Sequence, residues 1–189
     1  FKDRDLPVLS LGGHGALGVE AVFDRPKNVF YVTMLREPMG LCRSLYRYSQ
    51  QHFARPRSFR EFVLQAYPTN LMTKTLADGD PDLAKERLAD HYFHFGLVEC
   101  FRESLAKLRQ SLGLAHEEFQ SVNASSASLV PIESSPDLEQ EFYQRNALDL
   151  SLYQFAKQLL KERFSEFHSE GPTMPGPSRK APIALASSK

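Results

Sequence analysis

Three polar residues near the start of the chain are candidates for chemistry by their type and spacing: His14, Arg36 and Ser44. Arg36 directly follows the apolar segment 28–35, and Ser44 comes eight residues later. A guanidinium at the end of a strand offers a planar set of donors suited to a phosphate, and a nearby serine hydroxyl completes such a grip. The alternative is that Arg36 pairs with an acid such as Glu37, and that Ser44 only occupies a helix position.

The loop "LGGHGALG", residues 11–18, has glycines at the G-x-G-x-x-G spacing of a dinucleotide-binding turn. That turn needs a helix beginning near Gly15, but only "VEAVF" follows before "DRPKN" interrupts it. Without that helix, the loop is notable for His14, which is either a base, since histidine is the natural base at neutral pH, or an ordinary loop histidine. Glu20 is a second candidate base, and a solvated surface glutamate is its alternative.

Composition favours one globular domain without a strong charge. The 189 residues are 42% hydrophobic, and Lys plus Arg equals Asp plus Glu at 23 each, so no net field favours nucleic acid. The two cysteines, Cys42 and Cys100, are too few for a disulfide framework and are expected to be buried. No apolar run approaches the ~18 residues of a membrane span. Because the chain opens on Phe1, we expect it to be a fragment of a longer protein.

The hydrophobic pattern predicts short strands alternating with amphipathic helices. Strands are predicted over 7–10, 28–35 and "HFGLVE"; helices are predicted over Pro38 to Phe53, 58–66, 70–77, 80–91, 99–112 and about 147–164. Residues 123–136 are interpreted as a polar loop, and the domain is expected to span 1–168, followed by a disordered Pro- and Ser-rich tail, 169–189. This order predicts an α/β fold with ligands at the carboxyl ends of the strands.

Four segments resemble the carbohydrate sulfotransferase family that includes the heparan sulfate 2-O-sulfotransferases. "NVFYVTMLREPMGLCRSLYRY" resembles its 3′-phosphate-binding segment, and "NLMTKTLADG" its Asn-x-x-Thr-x-x-Leu block. "FGLVECFRESLAKLRQSLGL" resembles its Gly-Leu-x-Glu helix, and "NALDLSLYQFAKQLLKERF" its closing Asp-x-x-Leu-Tyr-x-Phe-Ala helix. The resemblance follows the family's order and covers roughly residues 8 to 165.

The resemblance implies a P-loop-NTPase-like sulfotransferase fold, with a central, mainly parallel sheet flanked by helices. It implies transfer of a sulfuryl group from 3′-phosphoadenosine 5′-phosphosulfate (PAPS), without a metal, to a hydroxyl of a glycan or glycosaminoglycan. Family members in animals act in the Golgi lumen, so membrane attachment would require an anchor outside this chain. The family's 5′-phosphosulfate loop has no counterpart here, so we expect the domain to be truncated at its amino end.

The resemblance also implies a role for each matching residue. His14 is the expected base; the expected cofactor-binding residues are Arg36, Ser44, Asn123 and Ser125, and the expected acceptor-binding residues are Asn70, Thr73 and Lys74. For the acceptor residues, a helix cap and a solvated surface are the alternatives. Two departures from the family pattern are Glu37 in place of aspartate and Leu41 in place of a second arginine.

The first alternative to sulfuryl transfer is an NAD-dependent enzyme, which the glycine spacing of residues 11–18 would imply. A metal site is a further candidate feature. His91 and His94 are spaced to share a metal on a helix, but no third ligand is evident, and catalytic zinc needs three. A non-catalytic module, which binds glycans or a partner without turnover, is the second alternative.

Overall fold

The computed structural model describes residues 30–52, 57–114, 132 and 134–169, with side chains up to residue 163. This part of the chain is mainly helical, with a small two-strand parallel sheet flanked by helices. The elements are β1 (Val32–Leu35), α1 (Pro38–His52), α2 (Phe59–Glu61), α3 (Leu71–Ala77), α4 (Pro81–Glu86), β2 (His94–Leu97), α5 (Phe101–Leu112), α6 (Pro136–Arg145) and α7 (Ala147–Ser169). The α/β prediction is confirmed to this extent.

The two strands pair in parallel, with Val32 opposite His94 and Leu35 opposite Leu97. All four residues of β2 are buried, whereas β1 begins at an exposed residue. Both strands therefore end at the same edge of the sheet. Arg36 follows β1 at that edge, and a single 3₁₀ turn, Val98–Cys100, follows β2.

Local signals set several helix boundaries. Ser58 and Glu61 form the expected capping box, in which each side chain accepts a hydrogen bond from the other residue's backbone amide. Asp80 caps α4 ahead of Pro81, and Gly113 ends α5 with a φ of 65°. Two helices continue into π-helical turns, Phe62–Ala66 after α2 and Arg87–His91 after α4.

The buried apolar side chains form two clusters. One lies between the strands and helices α3, α4 and α7, and includes Phe95, Leu88 and Leu152. The other joins α1 to α6 and to the segment containing α2, and includes Met39 and Phe142. Helix α1 lies between the clusters, because Leu41 packs on the first and Cys42 belongs to the second.

Some details of the predicted core are wrong. Cys42 is buried as predicted, but Cys100 is exposed, since it lies in the turn that follows β2. The apolar stripe predicted for α5 puts Phe101 inside, yet its side chain is 47% exposed and Ser104 is the residue buried against β2. On α1, Tyr48 is 55% exposed.

Within the described residues, no helix is long and apolar enough to cross a membrane.

Helix α6 was not predicted. The preceding residues Ile132, Ser134 and Ser135 have no regular structure, as expected for the loop, but the chain then turns into ten helical residues. Ser135 accepts a hydrogen bond from the amide of Leu138, and Pro136 occupies the first turn. The predicted strand over 7–10, the rest of the polar loop and the predicted tail from residue 170 onward lie outside the described residues; residue 169, the first of that tail, ends α7.

Candidate functional site

The turn after β1 is tied to the end of β2 by a glutamate. One carboxylate oxygen of Glu99 accepts a hydrogen bond from the backbone amide of Glu37 at 2.8 Å. The other oxygen accepts one from the Tyr153 hydroxyl at 3.0 Å. Glu99 therefore joins three elements at the carboxyl edge of the sheet: the β1 turn, the segment after β2 and helix α7.

Glu37 caps the amino end of α1 with its own side chain. Its carboxylate accepts hydrogen bonds from the amides of Met39 at 3.1 Å and Gly40 at 2.6 Å. The Tyr143 hydroxyl donates to the same carboxylate at 2.9 Å. Glutamate thus fills the capping position where the resembling family has aspartate, and a negative charge there is favoured by the helix dipole. These amides are already occupied, so an anion at this edge would have to be held by side chains.

Both tyrosines that donate to these carboxylates keep their protons at neutral pH. Burial, with a further contribution from the hydrogen bond to Glu37, raises the pKa of Tyr143 to about 12. Burial and the hydrogen bond to Glu99 also raise the pKa of Tyr153. The two phenols therefore act as fixed donors that orient the carboxylates and do not titrate near pH 7.

Arg36 is partly buried, and within the described residues its guanidinium has neither an ion pair nor a hydrogen bond. Its side chain lies along the first turn of α1. A β-carbon placed on Gly40 would be 3.5 Å from the Arg36 Nε and 3.3 Å from a carboxylate oxygen of Glu37. The alternative interpretation, an ion pair between Arg36 and an acid, is not seen among the described residues.

Ser44 lies one helical turn beyond Gly40, about 6 Å along the axis and on the same face of α1. It is partly buried, and its hydroxyl has no hydrogen-bond partner among the described residues. Ser49, by contrast, donates to the carbonyl of Tyr46 at 2.7 Å, as serines in helices often do. Arg36 and Ser44 thus bring unpartnered donors to one helix face, beside the carboxyl edge of the sheet.

A second group of polar residues joins the amino ends of α3 and α7. Asp149 is fully buried and accepts hydrogen bonds from the amides of Met72 at 3.0 Å and Thr73 at 2.8 Å, and from the Thr73 hydroxyl at 2.8 Å. In return, the Asn70 side chain accepts from the amide of Leu148 at 3.2 Å. Each helix thus supplies the cap of the other, and free amides at both ends are satisfied.

This junction accounts for two of the three predicted acceptor residues. Asn70 has a positive φ of 51°, and its own amide donates to the Asn146 side chain at 2.8 Å. Thr73 is fully buried. The Asn70 side chain accepts a hydrogen bond at the start of α7, and the Thr73 hydroxyl donates one to Asp149, so both side chains are used at the helix ends, as in the capping alternative. Lys74 is exposed, and its ammonium lies 3.3 Å from the Thr69 hydroxyl, so it is the member of the set that presents a charge to solvent.

The other predicted site residues lie outside the described residues: His14, Asn123 and Ser125, together with Glu20 and the glycines of the "LGGHGALG" loop. His91 and His94 are described, at the end of a π-helical turn and at the start of β2. His94 is buried, and this burial lowers the pKa of its imidazole. In the described part of the chain, no three His, Cys, Asp or Glu side chains are grouped to hold a metal.

Sequence reasoning missed four residues that shape this region: Glu99, Tyr143, Tyr153 and Asp149. Three of them stand in the quoted segments, Glu99 in "GLVE" and Asp149 and Tyr153 in "DLSLY". An acid or a tyrosine within an otherwise apolar stripe is the pattern that could have indicated a buried polar contact at these positions. Tyr143 carried no such signal, because helix α6 itself was not predicted.

The structure brings the four quoted segments into contact. The "REP" turn contacts "GLVE" through Glu37 and Glu99, and "GLVE" contacts "DLSLY" through Glu99 and Tyr153. "NLMTK" contacts "DLSLY" through Thr73 and Asp149. Comparison of the chain with protein-family models, with curated proteins and with solved structures found no match.

Proposed function

We propose that this chain is a carbohydrate O-sulfotransferase domain of the P-loop-NTPase-like sulfotransferase fold, and that it uses PAPS as sulfuryl donor. The observation that carries the proposal is the Arg36 guanidinium, which has no partner among the described residues and lies at the carboxyl edge of a parallel sheet, on the same helix face as Ser44. A terminal phosphate matches that donor set, because guanidinium and hydroxyl groups both donate to its oxygens.

The contacts among the four quoted segments support the proposal independently. Hydrogen bonds join Glu37 to Glu99, Glu99 to Tyr153 and Thr73 to Asp149, across sequence separations of 54 to 76 residues. The polar residues that carry the family resemblance are thus the ones that hold the segments together. Such mutual bonding is expected if the segments derive from one shared fold, and unexpected if they resemble the family by chance.

The proposed reaction needs three contributions from the protein. In the transfer, the sugar oxygen bonds to sulfur, the bond between that sulfur and the 5′-phosphate oxygen breaks, and the hydroxyl proton passes to a base. His14 is the proposed base. Arg36 and Ser44 hold the 3′-phosphate, and Asn123 and Ser125 are further contacts to the donor; the family's 5′-phosphosulfate loop has no counterpart among these residues. Lys74 is the proposed contact for an acidic group of the acceptor, with Asn70 and Thr73 shaping the helix end behind it. If the source is eukaryotic, the proposed compartment is the Golgi lumen.

The experiment is a transfer assay with the full 189-residue chain, ³⁵S-labelled PAPS and a panel of desulfated glycosaminoglycans. We expect the chain to bind adenosine 3′,5′-bisphosphate, and we expect His14→Ala to keep that affinity while abolishing any transfer of label to a polysaccharide. His52→Ala is the matched control, since His52 is exposed at the far end of α1.

The outcomes separate the alternatives. Full turnover by His14→Ala would remove histidine as the base. Bisphosphate binding without label in any glycan would favour a module that binds but does not catalyse. Absence of both binding and transfer would contradict the proposal.

A further inference from the structure

Arg47, on α1, is an arginine whose guanidinium forms no hydrogen bond or ion pair with the part of the chain that the structure describes. It is partly buried, and its Nε is shielded from solvent without a hydrogen-bond partner. Four other partly buried arginines bond to the protein itself: Arg43 to Glu139, and Arg87, Arg145 and Arg163 to backbone carbonyls. A buried donor without a partner is costly, so the free Nε of Arg47 requires an explanation.

The position of Arg47 relates it to Arg36 and Ser44. Arg47 follows Gly40 by seven residues, which is almost two full turns of α1. The two residues therefore lie on the same face of the helix, and Ser44 lies between them on that face. Long side chains in helices lean toward the amino end, so Arg47 covers the turn that carries Ser44. Arg36 reaches the same face from the strand end, beside Gly40. Arg36 and Arg47 therefore both belong to the helix face that carries Ser44.

The nearby carboxylates are already committed to other groups. Glu37 accepts from two backbone amides and from Tyr143. Glu139, on α6, pairs with Arg43 at 2.6 Å. Glu99, which accepts from the amide next to Arg36, is a third acid near this face, and none of the three forms an ion pair with Arg36 or Arg47 in the described structure.

We propose that Arg47 is a second anion-binding residue of α1, and that with Arg36 and Ser44 it forms a site for a phosphate monoester dianion. The inference rests on the proposed function, in which that group is the 3′-phosphate of the sulfuryl donor. A phosphate monoester carries between one and two negative charges at pH 7, about −1.5 to −2, which two guanidinium groups balance and one does not. Arg47 is therefore a residue that selects nucleotides with a 3′-phosphate over those without one.

The test is calorimetric titration of the full chain with two probes, adenosine 3′,5′-bisphosphate and adenosine 5′-monophosphate. We expect Arg47→Ala to weaken bisphosphate binding roughly tenfold, the loss of one hydrogen bond to a charged group, while affinity for the monophosphate changes less than about twofold. Arg47→Lys, which keeps the charge but not the planar fork, should be intermediate. Arg102→Ala is the control, because Arg102 is exposed on α5.

Different results would overturn the inference and the proposed function. If Arg36→Ala loses bisphosphate binding but Arg47→Ala binds like wild type, the role of Arg47 is wrong and the proposed function stands. If the wild-type chain does not prefer the bisphosphate, the proposed function itself fails. Should Arg47→Ala lower the melting temperature, Arg47→Gln, which keeps most of the apolar stem, gives the same comparison in a folded protein.

Discussion

At the scale of single residues, the turn after β1 is held by two carboxylates with different partners. Glu37 caps the helix that follows, and Glu99 anchors the backbone amide of Glu37 from the neighbouring strand. The Glu37 cap is local, since it uses amides two and three residues away, but the role of Glu99 depends on partners 62 and 54 positions away and leaves no sequence pattern. The adjacent arginine could be predicted from its place after a strand, but the groups that fix its turn could not.

We therefore expect Glu99 to position the anion site without touching the ligand. Glu99→Ala removes the acceptor for both the Glu37 amide and the Tyr153 hydroxyl, and should weaken binding of adenosine 3′,5′-bisphosphate by roughly 2- to 10-fold, the net worth of an ordinary hydrogen bond. Glu103→Ala, an exposed acid on α5, is the matched control for charge. Equal binding by wild type and Glu99→Ala would contradict this role, whereas partial recovery in Glu99→Gln would support it.

His94 predicts a dependence of stability on pH. Burial lowers its pKa below the ordinary value of 6.5, so the unfolded chain binds the proton more readily than the folded one. The contribution is present above pH 6.5 and is lost as pH falls toward the lower folded pKa. Arg163, whose positive charge also lowers this pKa, adds to the effect.

Urea unfolding at several pH values from about 8 to about 5 measures this effect, because that interval includes the ordinary pKa of histidine. The wild-type free energy of unfolding should fall toward acid, and His94→Gln should flatten that slope whatever its stability at pH 8. His52→Gln, at an exposed histidine, should keep the wild-type slope. An unchanged slope in His94→Gln would remove His94 as the cause.

At the scale of elements, boundaries with a local cause were predictable. Helix α1 begins at Pro38, α4 begins after the Asp80 cap and α5 ends at Gly113, because proline, caps and glycine act on their own turn. Helix α6 was not predicted, although Ser135 and Pro136 are typical of a helix start. The polar, Ser-rich residues before it are typical of a loop, and the loop was therefore extended to Pro136. The burial of Ser104 instead of Phe101 depends on how closely α5 approaches β2, which no periodicity encodes.

The close approach of α5 to β2 allows no larger residue at Gly96. A β-carbon there would lie 2.5 Å from the Ser104 Cβ and 2.8 Å from the Met34 sulfur, so α5 or β1 would have to move. Gly96→Ala should lower the free energy of unfolding by about 1–3 kcal/mol, as overpacking of a core does. Thermal and urea unfolding check this value. A variant as stable as wild type would mean that α5 does not pack this tightly on β2.

At the scale of the whole molecule, two polar junctions hold the helices around the sheet. One joins the strand ends through Glu99, and the other joins α3 to α7 through Asp149 and Asn70. The family resemblance includes the segments that contain these residues, but it implies that Asn70 and Thr73 bind the acceptor, with a helix cap as the alternative. Their capping contacts could not be derived from spacing, since the partner residues lie 76 or more positions away.

Asp149 tests the second junction. Asp149→Ala leaves two amides and a hydroxyl of α3 without their acceptor in a buried site, and should cost at least about 1–3 kcal/mol in the free energy of unfolding. Asp137→Ala removes an exposed acid from the first turn of α6 and is the control. Equal losses in the two variants, measured by urea unfolding, would contradict a special role for the buried cap.

The most direct test of the central claim is titration of the full chain and of Arg36→Ala with adenosine 3′,5′-bisphosphate. The claim is that α1 and the β1 turn form the 3′-phosphate site of a sulfotransferase domain. It predicts saturable binding by the wild type, weakened by at least roughly tenfold in Arg36→Ala, because a charge-assisted hydrogen bond is lost. No binding by the folded wild type, or equal binding by the two proteins, would contradict it.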